Sequence, residues 1–298
     1  MAIDITFLGT SQAVPTAKRN HTSILVRYNN EMILVDCGEG TQRQFRIARI
    51  NPCKLTRILI THWHGDHVFG IPGLLQTLAL NGYNKTLYVY GPKGTKKFMD
   101  MIYQLFVFSG KIDVRVEEVT KGEFIDAKDF VVEAFPVSHS TYCLAYSFRE
   151  KDKRRMDVSK IKKFGLKGEI IGKLQQGKSV SCENKLIRPD DVSYTKKGKK
   201  VAFLLDTEMC ENCINAAKDA DLLISEATYS SEIERKAAEY KHLTSENAAE
   251  IAKRAKAKNL ILTHISQRYE KEDEKILKEA KKVFPKTELA RDFMKVVV

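Results

Sequence analysis

The chain has 298 residues, 43% of them hydrophobic, enough to bury one large core or two small ones. Aromatic content of 9%, sparse Gly (16) and Pro (7) and mixed charge exclude disordered and fibrous classes. The formal charge of +12 is concentrated, because residues 149–200 hold 17 Lys/Arg against 7 Asp/Glu and the remainder is nearly neutral. That segment points to a polyanionic partner, a solvated surface arm being the bland alternative.

In chain order, DITFLG, SILVRY and EMILVD read as strands within the first 36 residues, and LTRILITH (55–62) as a short buried strand. GIPGLLQTLALNG has helical spacing, LYVYG (87–91) is a strand, KKFMDMIYQLFVF (96–108) a helix and FVVEAFPVSH (130–139) a strand. Residues 149–200, with Gly165, Gly168, Gly172 and Gly177 and few large apolar side chains, read as a flexible extension. Beyond it come strand KKVAFLLDT, helix NCINAAKDA, strand DLLISEAT and a helix capped by Thr244, then strand NLILTHIS and helix EDEKILKEAKKVF. Strand groups followed by helices favour a layered α/β fold with helices outside paired sheets.

EMILVDCGE echoes KVAFLLDTE, and RILITH echoes NLILTH, which suggests two halves of related design with active groups at strand ends. No apolar run approaches the ~20 residues a membrane helix needs. The amino terminus, with Asp4, has no basic-then-apolar signal region, and six scattered cysteines make no disulfide framework. A soluble cytoplasmic protein with no membrane partner is expected. Cys210 and Cys213 form a lone CxxC and read as a packing pair at a helix start.

The stretch His62-Trp63-His64-Gly65-Asp66-His67 places four ligand-type side chains directly after a buried strand. Imidazoles with one carboxylate suit zinc, and the crowding suits two ions better than one. Of the seven histidines, His139 and His264 each end a predicted strand, His242 precedes a helix, and His21 is left over as structural. His139 would complete a set with His62 and His64, His264 would join Asp66 and His67, and Asp206 would bridge both ions. The alternatives are a helix cap for Asp206 and buried, satisfied imidazoles for His139 and His264.

HWHGDH resembles the HxHxDH signature of the metallo-β-lactamase superfamily, and FLGTSQAVPTAKRN, VDCGEGTQRQ, LLDT and THISQRY resemble the tRNase Z family. The resemblance implies a single domain over 1–298, a four-layer αβ/βα sandwich, with a protruding basic exosite arm over 150–195. It implies a zinc phosphodiesterase, an endonuclease that removes the 3′ trailer from precursor tRNA and leaves a 3′-hydroxyl. It also implies two zinc ions per subunit, a homodimer in which the arm serves the partner subunit, and Asp36 as a partner that orients a ligand histidine. Two family blocks differ here: His-Glu-Ala-Thr reads Ser225-Glu226-Ala227-Thr228, and His-Ser-Thr reads His242-Leu243-Thr244. In the arm, the family's Gly-Pro pair reads Gly168-Glu169.

The expected mechanism is hydroxide attack on phosphorus between two cations, with Asp66 accepting a proton and His242, oriented by Glu226, protonating the leaving 3′-oxygen. A structural hydrogen bond is the alternative for Glu226 and His242. Lys162, Lys163, Lys167 and Lys173 in MDVSKIKKFGLKGEIIGKLQQG are the expected tRNA phosphate contacts. Lys18 and Arg19 are candidates for the acceptor end or the trailer, against surface solvation. Arg268 and Tyr269 are candidates for a phosphate and a base, against packing on the last helix. Rival readings are a hydrolase of thioesters, lactones or small cyclic phosphodiesters, an exonuclease, and an inactive RNA-binding module.

Overall fold

The computed structural model describes residues 2–108, 110, 112–182 and 185–298. The first half runs β1 (Asp4–Gly9), β2 (Ser23–Tyr28), β3 (Glu31–Val35), α1 (Thr41–Ile47), β4 (Arg57–Leu59), α2 (Gly65–Val68) and α3 (Ile71–Leu80). It continues with β5 (Thr86–Gly91), α4 (Thr95–Leu105), β6 (Asp113–Glu118), β7 (Gly122–Asp126), β8 (Phe130–Val137) and β9 (Cys143–Glu150). The basic segment contributes β10 (Lys153–Met156), α5 (Val158–Lys163), α6 (Glu169–Gln175), β11 (Val180–Cys182), β12 (Lys185–Ile187) and β13 (Ser193–Lys196). The chain ends with β14 (Lys200–Leu204), α7 (Glu211–Ala217), β15 (Leu222–Glu226), α8 (Glu234–Glu239) and α9 (Ser245–Arg254), then β16 (Leu260–Thr263), α10 (Asp273–Val283), β17 (Thr287–Leu289) and β18 (Lys295–Val297).

Two seven-stranded sheets form, in the orders β18-β1-β2-β3-β4-β5-β6 and β17-β16-β15-β14-β9-β8-β7. Their central strands are buried on both faces, so each sends alternate side chains to different layers. Ile5, Phe7, Ile24, Val26 and Ile33 of the first sheet meet Val132, Leu144, Tyr146, Phe203 and Ile224 of the second. The opposite face of the first sheet (Leu8, Leu25, Leu34, Ile58, Val89) carries Phe45 of α1, Leu74, Leu75 and Leu78 of α3 and Met99 of α4. The outer face of the second sheet (Ala202, Leu204, Leu223, Leu262) carries Ala216 of α7, Ala248, Ala249 and Ala252 of α9 and Ile276 of α10. The result is the expected helix–sheet–sheet–helix order.

Both sheets share one plan. In the first, β18, β1, β2 and β3 are successively antiparallel and β3 to β6 parallel. In the second, β7, β8, β9 and β14 are antiparallel and β14 to β17 parallel. This makes β3 the counterpart of β14, so the Asp36 and Asp206 strand ends correspond. The Thr-His echo does not correspond, because His62 follows β4, whose counterpart is β15, whereas His264 follows β16.

The flexible extension is a correction. Residues 153–196 fold into two small hairpin sheets, β10 with β13 and β11 with β12, around Leu166, Leu174, Ile187 and Val192. Asp157 caps α5 by accepting from the Ser159 and Lys160 amides at 3.0 and 3.2 Å. Gly168 precedes α6 at φ 59°, ψ −134°, a conformation open mainly to glycine. Glu169 takes the first helical position, where its acid faces the positive helix end and pairs with Lys173 at 3.1 Å. The Gly-Glu departure is thus accommodated by the helix start. Among the described residues, no helix is long and apolar enough to cross a membrane.

Candidate metal centre

The site lies where parallel strands end. Asp36 follows β3, Thr61 and His62 follow β4, Asp206 follows β14, Glu226 closes β15 and His264 follows β16. Asp36, Asp206 and His264 adopt left-handed φ of 57°, 56° and 58°, which turns the chain at the strand end and aims each side chain across the sheet edge. His139 follows β8, held against the Asp206 loop by the Glu208 amide donating to Ser138 O at 2.9 Å. Under the His62–His67 loop packs Gly38, whose missing Cβ would fall 2.5 Å from His21 Cβ and 2.6 Å from Asp66 O. His21 is buried there with Nε2 3.1 Å from Ala13 O, the structural role expected for it.

Two sets of four ligand atoms converge: His62, His64, His139 and Asp206, and Asp66, His67, Asp206 and His264. In the first, His139 Nε2 is 3.2 Å from His64 Nδ1, and Asp206 Oδ2 is 3.5 Å from His62 Nε2 and 3.8 Å from His139 Nε2. In the second, His67 and His264 present Nε2 atoms 3.2 Å apart, with Asp66 Oδ2 3.5 and 3.4 Å from them. Asp206 Oδ2 is 3.3 Å from His67 and Oδ1 3.1 Å from His264, so its two oxygens span both sets. Ligands bound about 2.0–2.1 Å from a tetrahedral zinc lie roughly 3.3 Å from one another, which is the spacing seen.

The donor chemistry fits a cation. His62 Nε2 is fully buried without a hydrogen-bond partner, and Asp206 Oδ1 accepts none with good alignment. Burial, with neighbouring imidazoles, holds His62 well below the usual histidine range, and burial lowers His64 and His139 as well, so these rings are neutral donors. Burial opposes charge on His67 too, but Asp206, Asp36 and Asp66 outweigh it and hold this ring well above the usual range. Burial likewise opposes the charge of Asp66, where His67 and His264 prevail and keep the carboxylate far below its usual range. These groups could hold metal ions, and a metal cofactor follows from the donor set.

Each ring is locked by its other nitrogen. His67 Nδ1 donates to Asp36 Oδ2 at 2.7 Å, and His139 Nδ1 donates to Lys241 O at 3.0 Å. Thr61 Oγ1 donates to Asp36 Oδ2 at 2.7 Å, so it accepts from His62 Nδ1 at 3.0 Å and leaves the Nε2 lone pair facing the cluster. A matching relay serves the other set. Thr228 Oγ1 donates to Glu226 Oε2 at 2.6 Å and accepts from His264 Nδ1 at 2.9 Å. Neither threonine was among the residues singled out by sequence, although each sits within a block that was. Thr228→Val removes the hydroxyl at constant shape, and metal affinity is expected to fall by ~10–100-fold, with recovery in Thr228→Ser. Titration of metal into the stripped variants checks it.

His242 stands beside both sets, its ring 5.2 Å from His139 and 5.6 Å from His264. Its Nδ1 lies 3.1 Å from both Glu226 oxygens, which turns Nε2 away from Glu226. Burial disfavours the charged ring, but Glu226 and Asp206 outweigh it and raise His242 to about 9. Glu226 also accepts from the Thr207 amide at 2.7 Å, so it braces the Asp206 loop as well as His242. Cys210 and Cys213 pack Sγ to Sγ at 3.4 Å outside the cluster.

The proposed RNA contacts divide. Lys18, Lys162, Lys163, Lys167, Lys173 and Arg268 are exposed. Arg19 is a correction, since it is buried and donates to Thr10 Oγ1, Ala290 O and Asp273 Oδ2 at 2.6–2.8 Å. Tyr269 is another, a buried ring whose hydroxyl accepts from the Ser230 amide at 2.9 Å and donates to Ser230 Oγ at 3.2 Å. Both side chains brace the carboxyl-terminal layer, and neither faces solvent.

Two helix-flanked sheets with His/Asp clusters at one edge define a metallo-β-lactamase fold. The chain superposes on the metallo-beta-lactamase fold protein YhfI from Bacillus subtilis with a TM-score of 0.72 at 20% identity, covering 100% of both chains. A family profile described as Anti-Pycsar protein Apyc1 matches residues 3–99, the part that contains the HWHGDH loop. The short form of human tRNase Z superposes with a TM-score of 0.71 at 28% identity, over 98% of each chain. The ribonuclease Z of Methanothermobacter thermautotrophicus is 46% identical over 298 residues, 99% of this chain and 97% of that protein. The chain belongs to the ribonuclease Z family.

Proposed function

We propose that the protein is a cytoplasmic endoribonuclease that removes 3′ trailers from precursor tRNA, with two zinc ions per subunit. The observation that carries this reading is the sharing of Asp206 between two four-ligand sets, with the His242–Glu226 pair alongside. His62, His64, His139 and Asp206 would hold one ion, and Asp66, His67, Asp206 and His264 the other. Bound there, the ions supply electrophilic stabilisation of the phosphoryl oxygens and activation of water.

The protein's own groups do the rest. Asp36 and Glu226, through Thr61 and Thr228, keep the ligand rings oriented. Asp66, its Oδ2 turned toward the His67 and His264 rings, would accept a proton from the attacking water. His242 keeps a proton on Nε2 and delivers it to the departing ribose 3′-oxygen, leaving a 3′-hydroxyl on the tRNA. The test is incubation with a 3′-extended tRNA precursor, with and without chelator. One chelator-sensitive cut after the discriminator nucleotide supports the reading, and no cut refutes it.

The arm is the proposed exosite, its lysines gripping phosphates for affinity and register. Its two stems meet where the Glu150 amide donates to Lys199 O at 2.8 Å, so 153–196 can be replaced by a short linker without opening β9 or β14. Precursor binding is expected to fall steeply and to lose its salt dependence, while hydrolysis of a small phosphodiester persists. Loss of both would make the arm part of the core. The homodimer belongs to the same reading. It is supported by an exposed apolar face beside the metal loop, with Phe69 66% and Leu105 74% exposed among Trp63, Phe98, Met101 and Phe106.

A further inference from the structure

A second recess opens off the metal centre, on the side of His64 and His139. It is a cleft of about 690 Å³ between the loop after β8 and the ends of β5 and β6, and His139 lines one end. Ser140 joins it to the cluster, with Oγ 3.3 Å from His64 Nε2. Val119, Val137 and Leu144 give it an apolar floor. At its rim Tyr142 is 64% exposed, and Lys93 Nζ lies over the ring, 5.9 Å from its centroid. A cation on one face of the ring leaves the other for a flat, π-rich group, and the ammonium stays within reach of an anion carried by it.

An apolar floor, an exposed aromatic face and one positive charge, immediately beside ligands for ions that would bind a phosphodiester, match a nucleotide in each of its parts. We infer that Tyr142 and Lys93 form a nucleobase subsite that takes the base of a nucleotide flanking the scissile phosphate. The inference rests on the endonuclease reading above and adds a contact to it. Base–aromatic stacking tolerates any base, so the subsite contributes grip and register near the cut without sequence selection. Neither residue is a metal ligand or a proton carrier, so the effect belongs in substrate binding.

The test uses the full-length enzyme and three precursor tRNAs: unmodified, abasic at the last retained nucleotide, and abasic at the first released nucleotide. On the unmodified precursor, Tyr142→Ala should raise KM by roughly 5- to 100-fold. Tyr142→Phe, which keeps the ring, should restore it, and Lys93→Ala should raise KM in the same direction. On one abasic precursor wild type and Tyr142→Ala should behave alike, and that precursor identifies which side of the cut the subsite serves. An undiminished Tyr142→Ala penalty on both abasic precursors, no penalty on the unmodified one, or failure of Phe to rescue overturns the subsite. Failure of the wild type to cut any precursor would instead overturn the endonuclease reading itself.

Discussion

Asp206→Asn is expected to strip both metal positions at once and to abolish precursor cleavage. The carboxylate places one oxygen 3.3 Å from His67 and the other 3.1 Å from His264, and it also faces His62 and His139. An amide of the same shape offers one acceptor and no charge to two sets whose other ligands are imidazoles and Asp66. Two-cation stabilisation of a phosphoryl group is worth several kcal/mol, so the rate should drop on the order of 10³-fold or more. Elemental analysis should show the loss of both ions together, and chelation of the wild type should reproduce the rate loss reversibly. A variant that keeps two ions and cuts normally would break the shared-ligand arrangement.

The second large effect concerns His242. His242→Ala should retain its metal and lose on the order of 10²–10⁴ in turnover. The pH profile carries the sharper information. An acid works only while protonated, so activity should fall as pH rises through the His242 pKa, which its neighbours raise to about 9. Glu226→Gln removes the largest raising influence, so the alkaline limb should move to lower pH. Glu226 also supports His264 through Thr228, so the variant should lose metal affinity too. Thr228→Val weakens metal while keeping the Glu226 carboxylate against His242, so its limb should move far less than that of Glu226→Gln. An alkaline limb shared by wild type and Glu226→Gln, measured with metal saturated, would remove His242 from the proton-transfer role.

Much of the site is legible because its residues are chemically rare and stand at strand ends. The HWHGDH loop, His139, Asp206 and His264 group by type and position alone, and the two sets are those the structure brings together. Thr61 and Thr228 are not legible in that way, since a hydroxyl's role depends on which carboxylate lies across the gap. Arg19 and Tyr269 mislead for the opposite reason. A cation and an aromatic near an active loop look like ligand contacts until Asp273, Ala290 and Ser230 are found to occupy them.

Among strands, β9 escapes the pattern because CLAYSFRE contains no β-branched residue, and it becomes a strand through pairing with β8 and β14. VRVEE in β6 is largely exposed at a sheet edge and reads as surface. The arm's order comes from a handful of side chains, Leu166, Leu174, Ile187 and Val192, too few to stand out among its lysines.

The edge strand β18 lies against β1, with the Phe293 amide donating to Phe7 O at 2.7 Å and the Phe7 amide to Met294 O at 3.0 Å. β1 thus has as its second neighbour a strand about 290 residues further along the chain. His62 and His67 must wait through some two hundred residues of synthesis for His264. The metal centre therefore forms only once segments far apart in the chain have come together, the kind of non-local closure that folds slowly.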